Sequence, residues 1–256
     1  MTSKYNLATI SPTVDTSAFH AATGGNNVIF DWTPMLIPNG SCVIKSVTGT
    51  IMGTNGAANN DEDFRLYFAK SIDGVAPSSF GTAHADQGVN QAAAFRRNIL
   101  GCLFVDMSST DDADSLIAYN IIQAKIAADG GTAGELRQNI MLEGEPNQTT
   151  HGFQTIYVAM DGAGSAFDFG TDVDLNQAGH QAASTEAVQI TVSGTDPRLV
   201  FQPGDTLGGH ANNQSMEVVS IDSDVLMTVK NITAQIDHQE QLIIKNPITL
   251  KFGLEY

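Results

Sequence analysis

Apolar residues alternate with polar or small ones along the C-terminal stretch ITLKFGLEY, Ile248–Tyr256. Successive side chains of a β-strand point to opposite faces, so this spacing predicts a strand with one buried face and one wet face. The same period of two recurs at 64–68, 156–160, 188–192 and 225–229, and turns rich in Gly, Asn, Asp and Pro separate these segments. Many short strands of this kind predict an all-β fold, an antiparallel β-sandwich or jelly-roll with one or two short helices and long Gly-rich loops.

The length and charge of the chain restrict its organisation and its partners. Its 256 residues are enough for one large β domain or two small ones. We expect residues 1–25 to form an N-terminal arm or an edge strand, and residues 26–256 to form one β-rich domain that could divide near residue 185. Lys and Arg number 12 against 28 Asp and Glu, a formal net charge of −16. This charge repels phosphate backbones and anionic lipids, so we expect neither nucleic acid nor membrane as a partner.

Two segments depart from the strand pattern. Residues 89–101 are rich in alanine and end in glycine, which is typical of a short helix. Residues 111–130 place Leu116, Tyr119, Ile122 and Ile126 at helical spacing, but the part from Leu116 to Ile122 also fits a buried strand. Periodicity leaves both readings of the second segment open. The Gly-rich stretches 53–62, 127–136 and 161–184 are expected to be surface loops that carry contacts.

The start of the chain and the two cysteines indicate whether the protein is secreted and whether its thiols are oxidised. No basic stretch followed by an apolar run begins the sequence, and no apolar run is long enough to span a bilayer, so we expect neither a signal peptide nor a membrane helix. Cys42 and Cys102 lie in apolar, strand-like segments. Without a secretion signal they favour two buried thiols, although a disulfide remains the alternative if the fold brings them together.

The sequence offers little that is typical of catalysis. The six histidines are dispersed, and neither a Gly-x-Ser-x-Gly elbow nor a phosphate-binding Gly-Lys-Ser/Thr loop is present. The sequence therefore predicts a protein that is not an enzyme and that has no organic cofactor.

Acidic loop residues are the one candidate for a metal site. Asp111, Asp112 and Asp114 crowd one loop, and hard cations such as Ca²⁺ take carboxylate oxygens from loops. None of the acidic clusters has EF-hand spacing, so solvated carboxylates are the simpler interpretation. A structural calcium ion at these three residues is the alternative, and it would fix a loop without taking part in chemistry.

The segment Phe201–Leu207 has the composition of a tight turn. Pro203 and Gly204 suit its backbone angles, and Asp205 can accept a hydrogen bond from the backbone nearby. Phe201 and Leu207 would anchor its two sides. Similar turns occur in jelly-roll folds, so the segment is interpreted as architecture.

The N-terminal arm is the main candidate for contact with a neighbouring subunit. Tyr5, Leu7, Ile10 and Phe19 give it enough apolar character to dock on another protein. The competing interpretation is an ordinary edge strand of the chain's own sheet.

Residues 41–169 resemble structural proteins of tailed bacteriophages, in particular small head-decoration proteins. The shared pattern is a series of apolar and aromatic strands with phenylalanines between them: 43–51, 64–70, Phe80, Phe95, 98–105, 155–159, Phe167 and Phe169. The resemblance implies a β-sandwich or jelly-roll subunit that self-associates symmetrically, with a trimer favoured, and attaches to a capsid or tail lattice. It implies the major capsid protein or other virion proteins as partners, a place on the capsid exterior after synthesis in the host cytoplasm, and no catalytic residues.

Two further functions stay open. One is an adaptor or host-recognition module at the tail, neck or fibre base. The other is a β-fold hydrolase, which would need carboxylates or histidines that converge in space.

Overall fold

The computed structural model describes residues 4–14, 27–53, 62–83, 95–105, 107, 113–116, 119–123, 140–162, 167–209 and 214–256. Strands dominate these residues and all their pairings are antiparallel, which confirms the all-β prediction. No helix among them is long and apolar enough to cross a membrane. The strands and the helix whose bounds lie within this part of the chain are β1 (Tyr5–Ile10), β2 (Val28–Pro38), β3 (Cys42–Met52), β4 (Phe64–Lys70), β5 (Ile99–Val105), β6 (Ala113–Leu116), β7 (Tyr119–Gln123), β8 (Met141–Leu142), β9 (Glu145–Pro146), β10 (Phe153–Gly162), β11 (Val173–Leu175), β12 (Val188–Gly194), α1 (Pro197–Val200), β13 (Thr206–Gly209), β14 (Met216–Ile221), β15 (Leu226–Lys230), β16 (Leu242–Ile244) and β17 (Ile248–Glu255).

Two sheets pack face to face as a sandwich. The front sheet has the order β1-β17-β3-β7-β6, with β8 on β3, and the back sheet has the order β2-β10-β4-β5, with β9 on β10. Their inner faces meet through aromatic contacts such as that between Phe68 and Phe252, whose ring centroids lie 5.7 Å apart in an edge-to-face arrangement. Close strand packing in the front sheet requires Gly49, because a Cβ there would overlap the carbonyl oxygen of Thr249 on β17.

The C-terminal strand behaves as its alternation predicts. Ile248, Leu250, Phe252 and Leu254 of β17 are fully buried, while Lys251 between them is exposed. Burial of a large apolar side chain stabilises the fold by about 1.5–3 kcal/mol relative to its exposure. The strand therefore sits in the middle of the front sheet, between β1 and β3.

The third sheet is a nearly closed barrel formed by the chain between β10 and β17. Its order is β11-β12-β15-β14-β13-β16. The end strands approach each other, since the Leu175 amide donates to Glu240 O over 2.9 Å and the Gln239 amide donates to Leu175 O over 2.7 Å. Its first strand begins at Val173, upstream of residue 185, and one apolar cluster runs through sandwich and barrel.

Two sequence predictions need correction, and one open alternative is decided. The helix expected over 89–101 ends earlier than predicted: Phe95 is helical and residues 96–98 form a turn, but Ile99–Gly101 belong to β5 and pair with β4; residues 89–94 lie outside the described part. In 111–130 the strand reading is correct for Tyr119–Ile122, because β7 pairs with β3 and buries Ile122. The loop expected over 161–184 includes the end of β10 and all of β11. The loop 53–62 lies mostly, and the loop 127–136 entirely, outside the described residues.

The sequence around α1 and the turn after it explains both structures locally. Asp196 caps α1 by accepting from the Arg198 amide, and Pro197 occupies its first turn. Asp205 accepts a hydrogen bond from the Gln202 amide over 2.8 Å, as predicted for the turn. The phenylalanine and the leucine at the two ends of the turn, Phe201 and Leu207, are buried.

Candidate interaction surface

The backbone of β1 presents an open edge. The Lys4 amide donates to Tyr256 O over 3.1 Å and the Tyr256 amide returns a bond to Lys4 O over 3.0 Å. Hydrogen-bonded pairs alternate along an antiparallel ladder, so the backbone groups of every second residue from Lys4 face β17. Those of Tyr5, Leu7 and Thr9 therefore point away from β17, and no strand of the described residues pairs with them.

The side chains of β1 divide the predicted contact residues into two groups. Tyr5 and Leu7 are 71% and 60% exposed on the outer face of the front sheet. Ile10 points the other way and is buried in the chain's own core, so it is not available to a neighbour. Phe19 lies outside the described residues. Tyr5 and Leu7 therefore lie together on an edge strand of the chain's own sheet, which was the alternative interpretation of the N-terminal arm.

The outer face of the front sheet continues from β1 as a shallow, hydroxyl-rich depression. Thr48, Thr50, Thr249 and Lys251 surround Gly49, and the depression has a volume of about 330 Å³. We call this outer face, together with the exposed side chains of β1, the front face.

The front face also carries an ion pair, between Lys45 Nζ and Glu255 Oε2 at 2.8 Å. Lys251, which lines the depression, is a further cation on this face, in a chain whose formal net charge is −16.

At one end, the depression shares Thr50 and Thr249 with a larger cleft of about 510 Å³ beside α1. Tyr119 of β7 closes part of this cleft by donating its hydroxyl proton to Val200 O over 2.8 Å. Burial raises the pKa of Tyr119, and the charge of Asp205 raises it further. The tyrosine hydroxyl is thus kept neutral and serves to join the barrel to the front sheet.

Arg198 at the mouth of the cleft is similarly engaged. Its guanidinium forms a forked interaction with Asp196, with a shortest contact of 2.6 Å. The hydrogen bond and charge of Asp196 raise the pKa of Arg198, and the same pairing lowers the pKa of Asp196. These polar groups form structural bonds, so the cleft acts mainly as the junction between sandwich and barrel.

A buried acid on the back sheet is the strongest candidate for proton chemistry. Asp161 of β10 accepts a hydrogen bond from the Tyr67 hydroxyl at 3.1 Å, and Arg65 Nη1 lies 3.8 Å from its other oxygen. Burial raises the pKa of Asp161 to about 6 and that of nearby Cys102 to about 11. Perturbed pKa values often mark active sites. Here the carboxyl is 1% exposed, so a substrate has no access to it.

An aromatic cluster covers this region of the back sheet. Trp32 packs edge-on against Phe80 and Phe95, with centroids 5.0 and 5.5 Å away. The Phe80 segment is fixed by Asp31, which accepts from the Phe80 amide and the Ser79 hydroxyl. The outer face of these strands is consequently a second small core.

The predicted metal ligands cannot be joined into a site. Asp111 and Asp112 lie outside the described residues, and Asp114 is on β6 with its side chain outside the described part. Elsewhere in the described ranges no group of three His, Cys, Asp or Glu side chains could hold a metal ion. Cys42 and Cys102 are free thiols, on β3 and β5, so the pairing alternative is wrong.

Sequence reasoning missed two features of these surfaces. The backbone groups of Thr9 face outward because of the register in which β1 pairs with β17. The local sequence of β1 does not specify this register. The burial of Asp161 was missed because this residue was assigned to the start of the surface loop 161–184, whereas the structure places it in β10. Comparison of the sequence with models of known protein families and with curated proteins gave no match.

Proposed function

We propose that this chain is a non-enzymatic structural subunit of a virus particle, a decoration or cement subunit on the exterior of a phage capsid. The observation that carries this proposal is the open edge of β1, with Tyr5 and Leu7 exposed beside it. An edge of this kind is a template for pairing with another chain, and proteins that stay monomeric usually block such edges. The resemblance of residues 41–169 to phage head-decoration proteins supports the viral setting.

The charge distribution supports attachment through the front face. A chain with a net charge of −16 repels other copies and other acidic proteins over most approaches. On the front face this repulsion is reduced by Lys251 and by the neutralised pair of Lys45 with Glu255. Contact there with the major capsid protein or with further copies of the chain would bury the apolar side chains of β1 and resist pressure from the packaged genome. Synthesis in the host cytoplasm would precede this attachment.

The first test is the copy number of the chain in purified particles from its source, relative to the main shell protein. A number comparable to the shell supports the decoration role. A small symmetric set favours an adaptor at the tail, neck or fibre base, and absence from particles overturns a virion role.

The second test examines the surface. Purified chain is added to particles that lack it, and binding of the wild type is compared with Leu7→Lys and with Leu36→Lys. Leu36 of β2 is 42% exposed on the outer face of the back sheet, so it is a matched control on the opposite side of the sandwich from Leu7. We expect Leu7→Lys to reduce binding at least about tenfold and Leu36→Lys to leave it unchanged, because a lysine at the edge opposes close strand pairing. Equal binding by both variants would overturn the role of β1.

A further inference from the structure

The two sandwich edges formed by β1 and β2 are protected very differently. The Asn39 amide donates to Gly152 O over 3.1 Å, so the alternation along β2 directs the backbone of Pro34, Leu36 and Pro38 away from β10. Two of these three outward positions are prolines and have no N–H to offer. On β1 all three outward positions, Tyr5, Leu7 and Thr9, retain their N–H groups. The edge formed by β2 is therefore blocked, whereas no strand among the described residues pairs with the outward edge of β1.

From this contrast we propose that β1 pairs antiparallel with β1 of a second copy of this chain, about a twofold axis at Leu7. This inference names a second copy of the chain as a partner for the β1 edge. It rests on the proposed function only because both use this strand. The twofold axis places Leu7 opposite its symmetry mate and Tyr5 opposite Thr9 of the other copy. Every outward N–H of these residues then meets an outward carbonyl, so the edge is complementary to itself.

Charge and side-chain placement favour a second copy at this edge. Residues 4–14 contain no Asp or Glu and a single lysine, Lys4, so two copies can approach here without carboxylates facing each other. A twofold axis perpendicular to the sheet puts both front faces on the same side. The exposed side chains of Tyr5 and Leu7 from the two copies then form one apolar strip, which loses water on pairing.

The geometry has a consequence for the oligomer. A contact that a strand makes with its own symmetry mate is isologous and closes at two copies. The trimer expected from the sequence would need a different surface. Strands of this length give a small interface, so we expect a concentration-dependent dimer in solution, strengthened when copies are held on a lattice.

The experiment measures dimer formation of the full chain by sedimentation velocity over a range of concentrations. Leu7→Pro removes an N–H that points away from β17, so it leaves the β1–β17 ladder intact. It places a proline at an outward position of β1, as the sequence of β2 does at Pro34 and Pro38. Leu7→Ala is the matched control, since it shortens the same side chain and keeps the N–H. We expect Leu7→Pro to weaken the dimer at least about tenfold and Leu7→Ala to weaken it less, because pairing at the axis relies on two backbone hydrogen bonds. Equal effects of the two variants, or an unaffected dimer or trimer, would overturn the proposal.

Cross-linking tests the register without depending on the proline variant. With the axis at Leu7, Leu7→Cys places two thiols on Cα atoms about 5.5 Å apart, within the range of a disulfide. Thr9→Cys places its two copies roughly 13 Å apart, four strand residues away. Under mild oxidation we expect a dimer from Leu7→Cys, and little from Thr9→Cys or from the wild type with Cys42 and Cys102. Preferential cross-linking of Thr9→Cys, or none at all, would overturn the twofold register.

The two proposals fail in different ways. A monomeric wild-type chain that still binds particles would refute the β1 dimer and leave the virion function standing. A dimer that Leu7→Pro abolishes, in a chain absent from particles, would support the strand pairing and refute the virion function.

Discussion

The hydroxyl of Tyr67 donates a hydrogen bond to Oδ2 of Asp161 over 3.1 Å, joining neighbouring strands β4 and β10 of the back sheet. This bond and Arg65 favour the ionised carboxylate, while burial disfavours it, and burial is the larger effect. The protein therefore holds an acid that protonates near pH 6 in the folded state, far above the pKa of about 3.9 expected for an unfolded chain.

Replacement of Asp161 by asparagine should change how stability depends on pH. Because the folded-state pKa is raised, ionisation of Asp161 costs stability progressively as pH rises from about 4 to about 6, and the full cost remains above that window. The shift of about two units corresponds to roughly 3 kcal/mol. We expect the free energy of unfolding of Asp161→Asn, relative to wild type, to rise by up to this amount between pH 4.5 and pH 7.5 in urea titrations. A difference that does not vary with pH would show that Asp161 titrates normally.

Loss of the Asp31 carboxylate should release the segment around Phe80 and be visible in fluorescence. Asp31 accepts from the Phe80 amide at 2.6 Å and from the Ser79 hydroxyl at 2.7 Å, and the indole of Trp32 donates to Ser78 O at 2.8 Å. We expect Asp31→Ala to cost about 1–2 kcal/mol and to shift the emission of Trp32, the single tryptophan, to longer wavelength. Asp31→Asn keeps one acceptor oxygen and should shift the emission less. Unchanged emission in both variants would contradict this role.

The Tyr119 hydroxyl should matter for the junction between sandwich and barrel. Its hydrogen bond to Val200 O is lost in Tyr119→Phe, at an expected cost of about 1 kcal/mol. Hydrogen exchange of residues 197–201 should accelerate in the same variant, because α1 loses a tether to the front sheet. Tyr5→Phe, which changes a largely exposed tyrosine, is the control and should leave both measurements as in the wild type. Unaltered exchange at α1 in Tyr119→Phe would argue against a tether.

Because β3 and β17 approach each other closely at Gly49, we expect even a methyl side chain at this position to destabilise the fold. In Gly49→Ala the new Cβ would overlap Thr249 O, so the strands must separate. We expect a loss of about 1–3 kcal/mol in the free energy of unfolding. Thr48→Ala in the same strand removes atoms from the front face and should change stability by less than about 0.5 kcal/mol. Equal stability of the two variants would mean that the sheet relaxes around residue 49.

The sequence predicted where strands and turns lie better than it predicted which strands pair with each other. Alternation identified β17 and its buried residues because the strand has one wet face, and the tight turn at Pro203–Gly204 followed from local chemistry. The burial of Asp161 was not predicted, because this residue was assigned to the loop 161–184 and the Phe80 segment that covers the outer face of β10 lies far away in the sequence. Ile99–Gly101 were also misassigned, because their strand structure comes from pairing with β4. Local patterns cannot report a partner that lies far away in the chain.

Insertion of the barrel between β10 and β17 determines when the sandwich can form during synthesis. The front sheet needs β17 between β1 and β3, so neither β1 nor β3 finds this neighbour until the ribosome has made the chain through Glu255. Until then the edges of β1 and β3 that pair with β17 stay unpaired. Such long-range pairing makes folding slow and exposes intermediates to aggregation. We expect the nascent chain to depend on chaperones up to the last strand, and assembly with neighbours to be delayed until that strand is in place.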